Sequence, residues 1–490
     1  MKQIILNIAT SEKRAAILED GRVKDILIDR PDSEARVGSI YLGKAAKVLS
    51  GIQAAFINIG TVQNGFVHAK DLFFENKDND DPTPPISQLI TEGQSIIVQV
   101  KKEASQTKGP LLTKNITLRG KNVVFLPHGN YIAVSKKLPE KKRVQLREVG
   151  SSLVNEKEGL IMRTSSEHAS IEDLTLELMK LREQWNTLQS RANISKKPSL
   201  LQGGNTVLER AMQYISNGEV EIVLDDFEAY QKCKVDFPHL QNNVHLHPIT
   251  ENIFSYYQID AVLDKGNEPY VWLKNGGHLV IDSTEAMTVV DVNTGKFTGR
   301  HDRETTVLET NLLAAKEASH QIRLRNISGM ILIDFIRMKN QSDQDEVFQC
   351  LQDELSKDPV LARAHGYTTL GLMEVTRKKM QESLPATLTG PCSCCNGNGR
   401  TRSIESAYYS LERDLYELRN MDEEGVWVVV SKSINNFLRE NGESRLDELS
   451  RFTPAQVYVT EDRDLQTNHY MIKHIGSTSD IEDRISHREN

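Results

Sequence analysis

The distribution of apolar and polar positions sets apart the stretch from residue 287 to residue 338. Residues 288–292 are β-branched except for one acid and lead into a Thr-Gly step, which is typical of a strand followed by a turn. Over residues 304–325 apolar side chains recur at three- and four-residue steps, which predicts an amphipathic helix capped by Asp302. A second apolar run, residues 330–333, follows. Strand, helix and strand of these lengths predict a βαβ crossover, in which the two strands are parallel neighbours.

Acidic side chains lie at the ends of both predicted strands, Asp291 in the first and Asp334 after the second. Parallel strands present their C-terminal ends at one edge, about 4.8 Å apart, so the two carboxylates are expected at one rim. Carboxylates that close favour a shared cation, and Mg²⁺ prefers oxygen ligands. Asn293, on the same strand face as Asp291, is placed to orient a water molecule. The loop that follows adds basic and hydroxyl side chains suited to a phosphate: Lys296, Thr298, Arg300 and Arg303.

Acids at strand ends are also common as turn formers or helix caps. For Asp291 or Asp334 considered singly, such a structural role is the alternative interpretation. Two of them at one rim, with an amide between them and a basic glycine-containing loop beside them, favour phosphoester chemistry instead.

The runs VVDVNTGKFTG, ETNLLAAKEASHQIRLRN and GMILIDFI resemble the catalytic segment of the ribonuclease E/ribonuclease G family of bacterial endoribonucleases. The resemblance extends over nearly the whole chain. It implies hydrolytic cleavage of single-stranded RNA by Mg²⁺ held by Asp291 and Asp334, with Asn293 as a helper. It also implies that residues 269–388 form a DNase I-like catalytic subdomain.

Composition limits the functional classes. The chain has 490 residues and a net charge of −8, so several domains are expected, and any RNA contact must depend on local basic patches. An ordinary enzyme with a solvated charged surface is the alternative interpretation of this balance. Cysteine is sparse, no apolar run reaches the roughly 18 residues of a membrane span, and the N-terminus has no signal-peptide pattern. A reducing, cytoplasmic location without a membrane span is therefore expected.

The first 35 residues read as short strands with an Asp-Gly hairpin turn and are too few to bury a core alone. Residues 203–268, with a helical and a strand pattern, are a plausible partner. The resemblance implies that these two segments form one RNase H-like subdomain, interrupted by the residues between them. The neighbouring acids Asp225 and Asp226 are predicted to be structural rather than a second metal site.

Residues 36–115 contain evenly spaced short strands, which suggest a small closed barrel. Phe56 and Phe66 lie in two of these strands, where their rings either stack on bases or belong to the core. The resemblance implies an OB-type RNA-binding barrel in which Phe56, Phe66 and Lys108 grip single-stranded RNA.

Residues 116–202 include an amphipathic helix over residues 171–191 that begins with a Ser170–Asp173 start signal. Its apolar stripe is predicted to be packing surface: Leu174, Leu178, Leu181, Trp185 and Leu188.

The same region matches the family's sensor for the 5′ end of RNA. The resemblance places a 5′-monophosphate pocket at Arg163 and Thr164, with Gly120 and Val124 beside it. A guanidinium fork and a hydroxyl can clasp the oxygens of a terminal phosphate. Arg363 is a further candidate for contact with this phosphate.

Cysteines concentrate in the sequence GPCSCCNGNGR, where Cys392 and Cys395 form a C-x-x-C pair and Cys394 is an additional thiol. A structural Zn²⁺ normally takes four protein ligands, yet the chain has no second C-x-x-C, so the missing pair must come from elsewhere. A redox motif is the alternative. The resemblance implies a zinc link over residues 389–401, in which two chains share one Zn²⁺ and form a homodimer, with a tetramer left open. Cys233 and Cys350 are predicted to be core residues.

Residues 402–490 suggest a small C-terminal α/β domain, and the polar residues 477–490 are expected to be a disordered tail. No Arg- or Pro-rich extension follows, which fits the type of family member that lacks a scaffold tail.

The sequence thus predicts a multidomain α/β protein. The resemblance to the family implies the function: Mg²⁺-dependent endonucleolytic cleavage of single-stranded, AU-rich RNA with preferred 5′-monophosphate ends, in rRNA processing and mRNA decay. The rival hypotheses are a non-catalytic single-stranded RNA-binding protein and a DNA nuclease.

Overall fold

A computed structural model describes nine stretches of the chain: residues 1–30, 35–73, 83–104, 108–215, 220–248, 251–295, 303–395, 397–440 and 444–487. The chain divides into two compact units, Met1–Leu388 and Thr389–Asn490. Within these stretches, no helix combines the length and the apolar character needed to cross a membrane.

The first sheet begins with an antiparallel meander of three strands: β1 (Lys2–Asn7), β2 (Lys13–Glu19) and β3 (Arg22–Asp29). Asp20 and Gly21 join β2 to β3 with φ values of 51° and 74°. Positive φ at both central residues is the geometry of a type I′ hairpin turn, so the predicted Asp-Gly turn is confirmed.

The barrel consists of five strands and two single-turn helices: β4 (Ile40–Leu49), β5 (Ala54–Asn58), β6 (Gly65–His68), α1 (Ala69–Leu72), α2 (Ile86–Leu89), β7 (Ser95–Lys102) and β8 (Leu111–Thr113). The hydrogen-bonded order β4-β5-β6-β8-β7 returns to β4, so the sheet closes on itself. The closed barrel predicted from the spacing of the strands is confirmed.

A small four-stranded sheet and two long helices follow: β9 (Leu118–Arg119), β10 (Val123–Leu126), β11 (Ile132–Val134), α3 (Glu140–Leu153), β12 (Gly159–Met162) and α4 (Ile171–Ile194). Ser170 and Asp173 form a capping box at the start of α4, and the predicted apolar stripe of this helix is buried. Both predictions for this helix are confirmed.

The chain then returns to the two earlier sheets through seven short elements: β13 (Ser199–Gln202), α5 (Val207–Met212), β14 (Val220–Leu224), α6 (Phe227–Asp236), β15 (Val244–Leu246), α7 (Ile253–Tyr256) and α8 (Ile259–Gly266). Strand β13 pairs with β4, and β14 pairs in parallel with β1. The first sheet thus has the order β15-β14-β1-β2-β3, which joins the two segments that the sequence predicts to be partners.

The neighbouring acids of the first sheet have structural partners. Asp225 accepts hydrogen bonds from the Asn7 side chain (2.6 Å) and from the Ile8 backbone N–H (2.7 Å). Asp226 caps α6 by accepting from the Ala229 N–H at 2.8 Å. Their predicted structural role is confirmed.

The remainder of the first unit is a six-stranded sheet with three helices: β16 (Tyr270–Trp272), β17 (His278–Ser283), β18 (Met287–Asn293), α9 (Arg303–Leu324), β19 (Gly329–Asp334), α10 (Gln341–Ser356), β20 (Ala362–Tyr367), β21 (Met373–Arg377) and α11 (Leu384–Leu388). The strand order is β16-β17-β18-β19-β21-β20. Strands β18 and β19 are parallel neighbours connected by α9, so the predicted βαβ crossover is confirmed. Alternate side chains such as Val290 and Ile333 pack into one core with residues of α9 and α10.

The second unit contains a three-stranded sheet, β23-β22-β24, and four helices: α12 (Ile404–Glu417), β22 (Gly425–Val430), α13 (Lys432–Arg439), α14 (Ser444–Leu449), β23 (Gln456–Glu461), β24 (Tyr470–Gly476) and α15 (Thr478–Ser486). Every residue of β22 is buried.

The expected disordered tail is wrong for residues 478–486, which form α15. Ser477 accepts a hydrogen bond from the Asp480 N–H at 3.3 Å and so caps the helix. Ile481 is fully buried and packs with Trp427 and Val429 of β22. Ile485 packs against the same cluster, so two apolar positions of α15 contact this surface of the sheet.

Candidate functional site

The two acids predicted at one rim are direct neighbours in the six-stranded sheet. Asp291 of β18 is the register partner of Asp334 of β19, and both side chains are exposed. Partners in parallel strands have backbones about 4.8 Å apart, so both carboxylates can reach one ion. Asn293 donates a hydrogen bond from Nδ2 to Oδ2 of Asp291 at 2.8 Å. The structure therefore brings all three predicted residues together.

The donor set fits a hard, oxygen-seeking ion. Mg²⁺ commonly takes one or two carboxylates from the protein and fills its remaining positions with water and substrate phosphate. In the described stretches, this rim included, no group of three or more His, Cys, Asp or Glu side chains converges in a way that could hold a metal ion. A two-carboxylate rim suits Mg²⁺ better than it suits a fully protein-coordinated ion.

Asn311 of α9, which sequence reasoning missed, supports the segment that follows Asp334. It is fully buried, its Nδ2 donates to the Ile336 carbonyl oxygen at 2.7 Å, and its Oδ1 accepts from the Ile336 N–H at 3.0 Å. A polar residue beside the apolar positions of an amphipathic helix was the available signal. Asn311 ties the chain to the helix two residues beyond Asp334.

The turn between β16 and β17 packs tightly against the end of β18. A Cβ on Gly295 would lie 1.8 Å from the carbonyl oxygen of Gly276, so only glycine fits there. Asn275 links the same turn to α9 through a 2.8 Å hydrogen bond to Thr310. The predicted basic loop and helix cap lie outside the described residues, as do their members Lys296, Thr298, Arg300 and Asp302, while α9 begins at Arg303.

The aromatic residues of the barrel form a cluster on its outer face. Phe56 and Phe66 are cross-strand partners with ring centroids 5.5 Å apart, and His68 lies 4.8 Å from Phe66. The rings are half-buried, whereas the barrel core consists of other side chains such as Ile57 and Val67. The alternative that both phenylalanines are core residues is wrong.

Lys108 is exposed, two residues before Pro110, whose carbonyl oxygen accepts from the Phe66 N–H at 2.8 Å. The segment that carries this lysine therefore runs beside the strand of Phe66.

The four residues matched to the 5′ sensor lie in or beside the small four-stranded sheet. Arg163 donates from Nη1 to the Gly120 carbonyl oxygen at 2.8 Å, and the Thr164 hydroxyl lies 3.0 Å from that of Ser135. Val124 of β10 pairs with Arg119 of β9. Burial, and next the charge of Arg163, lower the pKa of the Arg119 guanidinium. Two neighbouring guanidinium groups favour an anion between them.

These basic residues open onto a large cavity that sequence reasoning did not find. It has a volume of about 1740 Å³ and is bounded by the barrel, the small four-stranded sheet and α5. Its basic lining residues are Lys101, Arg119, Lys121, Arg163 and Lys232. Arg363 is not among the lining residues; it lies exposed on β20 of the six-stranded sheet.

The cysteine cluster lies at the start of the second unit. Cys392 and Cys394 are exposed, and the sulfur of Cys395 accepts from the Gly399 N–H at 3.3 Å. Hydrogen bonds from the backbone of Cys395 and then of Cys394 lower the pKa of the Cys392 thiol. A thiol whose thiolate is stabilised in this way is a suitable metal ligand.

The two isolated cysteines differ in burial. Cys233 is buried in the core of the first sheet, as predicted. Cys350 is half-buried and packs against the core of the six-stranded sheet.

Two family models match the chain. Residues 117–380 match the model described as Ribonuclease E/G family. Residues 391–475 match the model described as RNase E/G, Thioredoxin-like domain, and this range includes all three strands of the second unit except the last residue of β24.

Similar proteins cover nearly the full length. The sequence is 33% identical over 471 residues to Ribonuclease G of Haemophilus influenzae, which is 93% of this chain and 96% of that protein. It is 31% identical over 470 residues, with the same two coverages, to Ribonuclease G of Escherichia coli strain K12. It is 34% identical over 413 residues to Ribonuclease E of Nostoc sp., which is 82% of this chain and 59% of that protein.

Proposed function

Because the chain belongs to the ribonuclease E/G family, we propose that it is an endoribonuclease that hydrolyses phosphodiester bonds of single-stranded RNA. The single observation that carries this proposal is the register pairing of Asp291 with Asp334 on an exposed strand edge. The Asn293 side chain is hydrogen-bonded to the first of these acids. This geometry supports metal-assisted attack on a phosphate.

The side chains have distinct roles in the proposed reaction. Asp291 and Asp334 would hold Mg²⁺, which when bound stabilises negative charge on phosphate oxygens. Asn293 keeps the Asp291 carboxylate oriented through its amide N–H, while its carbonyl oxygen can accept a hydrogen bond from the attacking water. The water oxygen bonds to phosphorus and the 3′ oxygen leaves, so the products carry a 3′-hydroxyl and a 5′-phosphate.

The barrel and the sensor sheet are the proposed contacts to RNA. The position of the half-buried Phe56 and Phe66 rings on the outer face of the barrel supports stacking on bases, with Lys108 near the RNA backbone. The neighbouring guanidinium groups of Arg119 and Arg163 support binding of a 5′-monophosphate at Arg163 and Thr164, beside Gly120 and Val124. Our proposal includes a preference for AU-rich RNA and a role in rRNA processing and mRNA decay, and the family likeness supports it.

A Zn²⁺ shared between two chains is part of the same proposal. Cys392 and Cys395 supply two thiolates, and two more from a second copy would complete a tetrahedral site. This arrangement would make the protein a homodimer. We also assign the first sheet to an RNase H-like subdomain, the barrel to the OB type and the six-stranded sheet to a DNase I-like subdomain.

One cleavage assay tests the main proposal. A 5′-monophosphorylated, AU-rich oligonucleotide is incubated with the protein, with and without EDTA, next to a deoxyribose version of the same sequence. Cleavage of the RNA that EDTA abolishes is the expected result. Tight binding without cleavage would instead identify a non-catalytic RNA-binding protein, and equal cleavage of the deoxyribose strand would identify a DNA nuclease.

A further inference from the structure

The face of the six-stranded sheet that carries Asp291 and Asp334 also carries large aromatic side chains. Tyr270 and Trp272 of β16 are 56% and 71% exposed. Residue 271, between them, packs on the opposite side with the core. Large exposed apolar groups on a sheet face commonly mark a binding surface.

Strand register connects these rings to the candidate catalytic residues. Tyr270 pairs with Val280, which pairs with Asp291. Two residues farther along these strands, Trp272 pairs with His278, which pairs with Asn293. Directly opposed residues of neighbouring strands project from the same face, so each aromatic residue lies about 10 Å along the sheet from a residue of the catalytic group.

The three rings form one surface, which we call the aromatic patch (Tyr270, Trp272 and His278). The centroid of His278 lies 5.2 Å from that of Trp272 and 6.1 Å from that of Tyr270. Nδ1 of His278 is buried and has no hydrogen-bond partner among the described residues. His278 therefore lies between Trp272 and Asn293 in one row across the sheet.

The position of the acids limits the paths open to an RNA strand. Asp291 and Asp334 lie on the two central strands of the sheet, so nucleotides beside a phosphate bound there can cross the sheet face toward either edge. Toward β21 and β20 the face presents Glu374 and Arg363, while Tyr367 of β20 packs against the core on the other side. Toward β16 it presents Asp282 of β17, then the aromatic patch and, just beyond, the exposed Lys274. The exposed tyrosine and tryptophan rings on this face therefore lie on the β16 side of the acids. Rings followed by a cation suit a base and the next phosphate.

We propose that the aromatic patch stacks on a base next to the scissile phosphate, and that Trp272 is a specificity-determining residue for the choice of cleavage position. This inference rests on the proposed endoribonuclease function, because it needs RNA at Asp291 and Asp334. Stacking on the wide indole favours nucleotides whose bases have a large aromatic surface at that position, and it does not depend on the Phe56 and Phe66 cluster of the barrel.

Tryptophan fluorescence offers a direct test. The chain has three tryptophans, and the other two, Trp185 and Trp427, are 8% and 4% exposed, so Trp272 is the one that an RNA strand can reach. In a cleavage-deficient Asp334→Asn background, a single-stranded RNA of about ten nucleotides should quench the emission. The same RNA with an abasic nucleotide beside the cleavage position should quench much less.

Substitutions give the second readout. Trp272→Ala should raise the Kd for this RNA between about fivefold and about a hundredfold, whereas Trp272→Phe should retain most of the affinity. With the abasic RNA, the alanine variant and its parent should bind alike. Phe227→Ala is the matched control, since Phe227 is 63% exposed but lies on helix α6, away from the six-stranded sheet. This substitution should change neither the Kd for the RNA nor the quenching of tryptophan emission.

The outcomes separate the inference from the function on which it rests. If the unmodified protein cleaves RNA while Trp272→Ala leaves affinity, cleavage positions and quenching by RNA as they were, the aromatic patch is not an RNA contact and the endoribonuclease stands. If Trp272→Ala changes the mass measured by light scattering but not RNA affinity, the patch is covered by a second copy of the chain and the inference is overturned. If the unmodified protein neither binds nor cleaves RNA, both fail.

Discussion

The side chain of Asn311 makes two hydrogen bonds to the backbone of Ile336: its amide N–H donates to the Ile336 carbonyl oxygen, and its own carbonyl oxygen accepts from the Ile336 N–H. Asn311→Ala removes both bonds inside a fully buried site. We expect a loss of about 1–3 kcal/mol in the free energy of unfolding, and a fall in kcat of roughly ten- to a hundredfold because Asp334 loses its support. Urea unfolding and single-turnover cleavage measure the two effects.

The control for this variant is Gln349→Ala, which removes an exposed side-chain hydrogen bond on α10, 2.7 Å long, to Asp353. It should change stability by less than about 0.5 kcal/mol. Equal effects of the two substitutions would show that Asn311 has no special role.

Asp334→Asn should leave folding and RNA affinity largely intact while lowering cleavage by roughly a hundredfold or more, because a neutral amide is a poor ligand for Mg²⁺. Asp282→Asn makes the same change on an exposed position of β17 in the same sheet and should retain activity. An active Asp334→Asn protein would remove the basis of the catalytic assignment.

Arg323→Met tests the ion pair that fastens α9 to the first sheet. Arg323 lies 2.5 Å from Asp25, and each side chain is only 8% exposed. Removing the arginine leaves a buried unpaired carboxylate, so a loss of about 3–5 kcal/mol at neutral pH is expected. Arg22→Met breaks the more exposed pair with Glu317, and its loss of electrostatic stabilisation should be about 1 kcal/mol or less.

The loss in the Arg323 variant should depend on pH. Burial raises the pKa of Asp25, and the hydrogen bond from Arg323 opposes this, so the variant has a still higher value in the folded state. Between the pKa of Asp25 in the unfolded chain and its raised pKa in the folded protein, only the folded protein keeps the proton. The free energy of unfolding therefore falls as pH rises through this range. Unfolding curves should therefore show a smaller deficit near pH 5 than near pH 7. A constant deficit would mean that Asp25 does not titrate.

Arg163→Ala should abolish discrimination between 5′ ends. Rates for 5′-hydroxyl, monophosphate and triphosphate versions of one RNA should converge, because the guanidinium beside the Gly120 carbonyl group is the proposed phosphate clasp. Arg147→Ala, which removes an exposed arginine of α3, should preserve any preference for the monophosphate.

Replacement of Cys392 and Cys395 by serine should yield monomers by light scattering and remove the zinc, of which about one ion per two chains is expected beforehand. Cys394→Ser should keep both the metal and the dimer. One zinc per chain in the unmodified protein would contradict sharing between chains.

Periodicity predicted the parts of the fold in which neighbouring residues decide the outcome. The β18-α9-β19 unit and the α4 stripe follow from local spacing, and Asp291 and Asp334 could be paired because parallel crossovers allow few alternatives. The helix α15 was missed since its stability depends on Ile481 reaching a strand about 50 residues earlier.

The side of a strand on which a residue lies is another limit of the sequence. Whether Phe56 and Phe66 were core or surface could not be decided from alternation alone, because both faces of the barrel strands carry apolar residues. For the same reason the sequence alone does not place Trp272 on the same sheet face as Asn293; the strand register does. Buried polar partners such as Arg323 and Asp25, 298 positions apart, leave no local signal at all.

The insertion of the barrel and the small four-stranded sheet between β3 and β14 has a consequence for synthesis of the protein. Gln3 of β1 contacts Glu221 of β14, 218 positions later, so β1, β2 and β3 leave the ribosome long before β14, the partner of β1, has been synthesised. The barrel closes through nearer contacts and can mature first. Until β14 arrives, the N-terminal meander has an unpaired edge at β1, and nascent chains stalled before residue 220 should be the species that chaperones bind most strongly.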